Sequence, residues 1–258
     1  MSVDPTRCLA RVVLVLVAAV GALVPLDAAF ASHLYVSKTG NDTNSCTNWS
    51  APCLTIQAAV DKAANGNQID VSAGTYAESV SINNRDSLAI NGASGVMLVP
   101  PVVPGPSGNT LISLWSSRNI QVSDLVLKGN GTSDDYGGIA INQCQASSLT
   151  RLKVQDMGGG GIVLYRHTAA QIVGSAVRGN RYFGIRVDAS SDMVIGSGDT
   201  SQSVVIEDNL FQGIRMLGGH LALRGPSLIE GNKMGGDPPH RRDGHPERVR
   251  GGHHRREE

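Results

Sequence analysis

Arg186 and Arg215 stand 29 residues apart in matching positions of two short phrases, Gly184-Ile185-Arg186-Val187 and Gly213-Ile214-Arg215-Met216. With Tyr165, Arg166, His167 and Asp188 they are the residues of this chain whose types and spacing suit shared chemistry. A guanidinium fork pairs two-point with a carboxylate, and a tyrosine offers a flat apolar face to a ring. An acidic polysaccharide presents both partners. Elimination or epimerisation on such a polymer also needs a neutralised carboxylate, often through calcium held on Asp or Glu, and a base for the adjacent proton. Arg186, Arg215, Asp188 and His167 are the candidates for those catalytic roles; Tyr165, Arg166, Arg186, Asp188 and Arg215 are the candidates for binding. A hydrolase needs two carboxylates facing one bond. Asp134-Asp135-Tyr136, in a loop longer than its counterparts, is the nearest match, and Asp135 joins the binding set. The plainer interpretation is a solvent-facing ladder in which Arg186 and Asp188 merely solvate a strand.

What must position these side chains is a repeat. Gly138-Ile139-Ala140-Ile141, Gly161-Ile162-Val163-Leu164 and the two arginine phrases place their glycines at steps of 23, 23 and 29, and a further step of 23 lands on Gly236. A step in this range signals one stacked unit rather than a single wrapped core. Alternation sends Ile139, Ile162, Ile185 and Ile214, with Ile141, Leu164, Val187 and Met216, to the interior. Ala140, Val163, Arg186 and Arg215 then form an outward row beside Asn142, Tyr165 and Asp188. Asn180, Asn209 and Asn232 recur at bends with the same steps and predict a stacked amide ladder, since asparagine tolerates the left-handed region and bonds neighbouring backbone. An upstream strand is expected before each bend, over Val122 to Leu127, Leu149 to Val154, Ile172 to Val177 and Val204 to Ile206. One coil thus reads strand, Asn bend, strand, turn.

Upstream, Leu54 to Asn65 sets Ile56, Ala59, Val60 and Ala63 on one helical face, and Asn65-Gly66 is the expected stop. The period then switches to two, with Ile69 and Val71, Val80 and Ile82, and Leu88 and Ile90, punctuated by turns at Ala73-Gly74-Thr75, Asn83-Asn84 and Asn91-Gly92. The helix is the natural lid for the open end of a stack.

Lys plus Arg and Asp plus Glu number 22 each, for a formal net charge of zero, and aromatics are 4%. No basic footprint for nucleic acid is present in the repeat region. Arg7 and Arg11 flank an apolar run from Val12 to Leu26, followed by Ala29-Phe30-Ala31, which reads as a secretory leader over 1–31 cleaved after Ala31. The run is short for a membrane span, so the mature protein is expected outside the cytoplasm and without a span. In that oxidising setting Cys46 and Cys53 can bridge; zinc is the rival, but no His or second Cys pair lies at ligand spacing. Cys144 reads as a small turn or core residue.

The repeats resemble right-handed parallel β-helix proteins of the pectin-lyase-like superfamily over roughly residues 33 to 236. The most specific stretch is Pro52-Cys53-Leu54-Thr55-Ile56-Gln57-Ala58-Ala59-Val60, followed by Gly74-Thr75-Tyr76-Ala77-Glu78-Ser79-Val80-Ser81-Ile82, which looks like the entry of exported β-helix proteins and pectinesterases. The resemblance implies an all-β, right-handed single-stranded parallel β-helix over 32–236 with an N-terminal capping helix at 54–65. Handedness comes from the resemblance and from the rule for parallel crossovers. Gln155-Asp156 matches a pectinesterase dipeptide, but Met157-Gly158-Gly159-Gly160 does not continue that pattern. The Asn-Thr-Asp and Gly-His-Gly motifs of polygalacturonases are missing, and Gly219-His220-Leu221 is a partial echo. After Gly236 the repeat stops mid-unit: 237–258 carries four of the seven histidines and no strand period, as a reading-frame change or truncation would produce, with a disordered linker or His cluster as rivals. The expectation is a secreted β-helix that engages polysaccharide along its outer face, of lyase or epimerase type if catalytic, with no cofactor other than possible calcium. A non-catalytic adhesin-like scaffold and an incomplete product without independent activity are the alternatives.

Overall fold

The computed structural model describes residues 32–102, 109–131 and 136–233. The leader expected over 1–31, the loop carboxylates Asp134 and Asp135, Gly236 and the 237–258 tail lie outside these residues. Short runs of branched aliphatics alternating with polar residues fold into three walls of parallel strands. The first wall has eight strands, from His33–Val36 through Gln68–Val71 to His220–Leu223; the second has seven, from Gly74–Ala77 to Ser227–Glu230; the third has six, from Val80–Asn83 to Ile214–Met216. Each coil contributes one strand to each wall in turn, and each strand pairs only with the strands one coil before and after it.

Three strands per coil is a correction to the two expected. The stretch from Val122 to Leu127 is two strands, Gln121–Ser123 and Val126–Lys128, broken at Asp124, whose φ is 62°. The same corner falls at Arg151 (φ 51°) and Gly174 (φ 57°). One left-handed residue turns the chain through the corner, so buried positions skip by three there, as in Val122, Leu125, Leu127 and in Leu149, Leu152, Val154. Ala73-Gly74-Thr75 and Asn91-Gly92, read as turns, contribute instead to the strands Gly74–Ala77 and Ala89–Gly92, while Asn84 is a left-handed bend (φ 52°) as expected.

The interior stack follows the predicted register. Ile112, Ile139, Ile162, Ile185 and Ile214 lie over one another, as do Leu114, Ile141, Leu164, Val187 and Met216, but Met216, expected inside, is exposed because its strand is the last described rung of the third wall. Each fully buried aliphatic here contributes on the order of 2 kcal/mol. The repeated glycine before each isoleucine is required by proximity. A Cβ on Gly161 would lie 2.5 Å from the Gly184 carbonyl oxygen and 2.6 Å from Val177 Cγ1.

The amide ladder forms inside the corner between the second and third walls. Asn180 Nδ2 donates to Asn209 Oδ1 and Asn209 Nδ2 to Asn232 Oδ1, both at 2.8 Å, and Asn180 and Asn209 are fully buried. The left-handed residue is not the asparagine but the one before it, Gly179, Asp208 or Gly231. This leaves each amide in a position to bond both its neighbour's side chain and its neighbour's backbone N–H. The ladder stops at Met157, whose backbone N–H donates to Asn180 Oδ1.

One helix, Ile56–Lys62, covers the first coil with Ile56, Ala59 and Val60 buried. Thr55 caps it by accepting from Ala58 N, and Glu78 accepts from Ile56 N and Gln57 N, both at 2.9 Å. Burial, more than any other influence, pushes the Glu78 carboxyl above its ordinary value. The helix is shorter than the 54–65 expected. Ala63 is already extended (ψ 137°), because buried Asn67 takes the Ala64 N–H with its side-chain oxygen. Cys46 and Cys53 form a disulfide beside this cap. Cys144 is a buried free thiol whose pKa is raised by burial. No helix of the described residues is long and apolar enough to cross a membrane.

Candidate functional site

Parallel register puts equivalent outward residues of the third wall on successive rungs, about 4.8 Å apart. One row runs Ser81, Ser113, Ala140, Val163, Arg186, Arg215; the row beside it runs Asn83, Trp115, Asn142, Tyr165. Small side chains in the first row and large ones in the second leave a groove of about 370 Å³. Thr110, Ser113 and Ala140 line one side, Trp115, Asn142 and Tyr165 the other, and Arg166 stands at the rim. Trp115 is exposed. Asn142 is 9% exposed, and its side-chain oxygen is buried without a hydrogen-bond partner among the described residues. An acceptor left so costs about 1–3 kcal/mol unless something donates to it.

Of the sequence candidates, Tyr165, Arg186 and Asp188 converge. Arg186 Nε and Nη2 donate to the two Asp188 carboxylate oxygens at 2.6 and 2.7 Å, and the guanidinium stacks over Tyr165 at 5.3 Å and Phe183 at 5.7 Å. The hydrogen bonds to Asp188 are the main reason the Arg186 pKa is raised. The pair therefore satisfies itself beside Tyr165, which lines the groove. Arg215 pairs with Arg186 in register on the next rung and is half-buried, with no ion pair to a described residue. Arg166 and His167 are exposed, both left-handed, in the turn leaving the third wall. Arg166 reaches the groove, whereas His167 is tied there through its carbonyl, which accepts from Gln145 Nε2. Asp135 lies outside the described residues.

No three His, Cys, Asp or Glu side chains of the described residues gather as a metal-holding group. Asp188, the carboxylate of the predicted site, has both oxygens engaged by Arg186. These residues do not fit a calcium site. Gln155 and Asp156 lie at the end of a second-wall strand and its corner, and Gly219-His220-Leu221 enters the first wall, so neither echo reaches the groove.

Trp115, Thr110 and Ser113, and Asn142 from the outward row, join the groove beyond the candidates that the sequence suggests. The signal was there: Thr110-Leu-Ile-Ser-Leu-Trp115 is an earlier copy of Gly137-Gly-Ile-Ala-Ile-Asn142, shifted by 27 residues. It lacks the glycine that marked the other copies, because Leu111 fills that place.

Residues 137–237 match the family model described as "Right handed beta helix region". Among solved structures, a rhamnogalacturonan lyase superimposes with a TM-score of 0.51 at 12% identity, covering 76% of this chain and 62% of that one. Pectin methylesterase PemA from Erwinia chrysanthemi gives 0.48 at 13% identity, over 70% of this chain and 56% of that one. The chain thus spans less than two thirds of either length, and at 12% identity the likeness to the rhamnogalacturonan lyase is one of fold. No curated protein matches the sequence. With parallel walls, one strand per wall per coil and a repeat model that matches residues 137–237, this chain folds as a right-handed parallel β-helix.

Proposed function

We propose that this protein is an exported polysaccharide-binding β-helix that holds an acidic glycan in the groove of its third wall. The observation that carries this reading is the groove itself, where Trp115 and Tyr165 stand on either side of Asn142 with Arg166 beside them. The aromatic faces stack on sugar rings, and Arg166, with Arg215 further along, attracts carboxylates. The disulfide is in keeping with an oxidising compartment. A polysaccharide-acting enzyme by name, the rhamnogalacturonan lyase, shares the fold. Binding is favoured over turnover because Arg186 and Asp188 engage each other, leaving no free carboxylate there and no paired base.

Titration with hexagalacturonate tests this. Trp115→Ala should weaken binding roughly tenfold, the loss of one well-placed aromatic contact, and unsaturated uronate should not accumulate. Unchanged affinity in Trp115→Ala would remove the groove from the account, and absorbance from an unsaturated product would replace binding with lyase activity.

A further inference from the structure

A second group of exposed rings lies at the start of the solenoid, on the first wall. In the strand His33–Val36, Leu34 and Val36 are buried, so His33 and Tyr35 face outward. Trp49 lies against Tyr35 with ring centroids 4.3 Å apart, and His33 stacks with Tyr35 at 6.1 Å. Trp49 remains 55% exposed. Because Trp49 covers an outward side chain, it is not filling the core. Burial of its apolar surface is the gain a core position would have supplied.

The loop that presents Trp49 is held rigidly. Its ends are joined by the Cys46–Cys53 disulfide and clipped to Tyr35 itself: Tyr35 N donates to Cys46 O at 2.7 Å and Cys53 N to Tyr35 O at 2.8 Å. At its tip Asn48 Oδ1 accepts from Ser50 N and Ser50 Oγ, both at 2.7 Å. A platform held this way loses little conformational entropy when a ligand settles on it. Its edge is polar. The Tyr35 hydroxyl and the Trp49 indole N–H make no hydrogen bond among the described residues, and His33 is fixed by Asp70 at 2.7 Å, itself held by Gln68.

We propose that His33, Tyr35 and Trp49 form a second saccharide-binding platform that takes a neutral hexopyranose ring. The sugar's C–H face lies on the negative faces of the aromatic rings, and its hydroxyls meet the free Tyr35 and Trp49 polar groups. The charge beside it sets the selectivity. Asp70 adjoins the rings, and the nearby cation Lys38 is drawn instead over Tyr76 at 4.9 Å. A uronate is therefore repelled here, the opposite of the preference assigned to the third-wall groove.

The chain has two tryptophans, one in each place, so their emission separates the two. In Trp115→Phe, cellohexaose or maltohexaose should shift Trp49 emission saturably. Hexagalacturonate should act at roughly tenfold higher concentration, and Tyr35→Ala in that background should weaken the response by a similar factor. A Trp49 emission unmoved by both neutral hexamers, or moved equally by hexagalacturonate, overturns the platform. In Trp49→Phe, Trp115 reports the groove alone, so a silent Trp115 beside a responsive Trp49 would uphold the platform and reject the groove.

Discussion

At the residue scale, the side chain that looked most reactive is the one most fully occupied. Arg186 and Asp188 sit two positions apart, and their mutual two-point contact leaves little for a ligand. Asp188→Ala should release the fork while Tyr165 and Phe183 still hold it flat. Hexagalacturonate affinity should then rise about three- to fivefold, the worth of one partly exposed ion pair, and become more salt-sensitive. Calorimetric titration at low and high salt checks this; equal affinities for variant and parent would mean the fork faces away from the ligand path. The outward placement of Arg186, Arg215 and Tyr165 was legible because strand alternation leaves no other choice. The ion pair was not, since it depends on side-chain rotamers that spacing does not specify.

At the element scale, corners carry more information than strands. Asn209 is fully buried and links Asn180 above to Asn232 below through its side chain, while also donating to Val177 O. Asn209→Ala removes the acceptor of both the Asn180 side-chain amide and the Asn180 backbone N–H, and leaves Asn232 Oδ1 without its side-chain donor from the rung above. With at least one buried donor left unmade and the ladder cut, the cost should be about 3 kcal/mol, read as a lowered urea midpoint with unchanged m-value. A cost below about 1 kcal/mol would mean the ladder is replaceable by local rearrangement. The recurrence of asparagine announced the ladder, but placed the left-handed turn one residue late. The turn belongs to Gly179, Asp208 and Gly231, because only then does the amide point inward. The helix was legible from its apolar face, and its early stop was not, because Asn67 ends it from outside the helical segment.

At the scale of the whole molecule, a solenoid is held together by neighbour contacts and can open from an end. The first coil is covered by the helix and the disulfide loop, whereas Leu217, Leu223, Leu228 and Ile229, on or beside the last described strands, are exposed. Amide exchange should therefore be graded, fastest across Ile214–Met216, His220–Leu223 and Ser227–Glu230 and slowest across Thr110–Trp115 and Gly137–Asn142. Uniform protection along the chain would indicate one cooperative unit instead. From sequence alone came the repeat, its parallel register, the interior stack and the covered first coil, because each depends on local periodicity copied from coil to coil. Only the tertiary structure decided where the corners divide the coil into three walls and which outward residues share a groove. Trp115 and Asn142 meet there because stacking brings residues 27 apart within one rung of each other, and irregular loop lengths between copies hide that proximity from any fixed period.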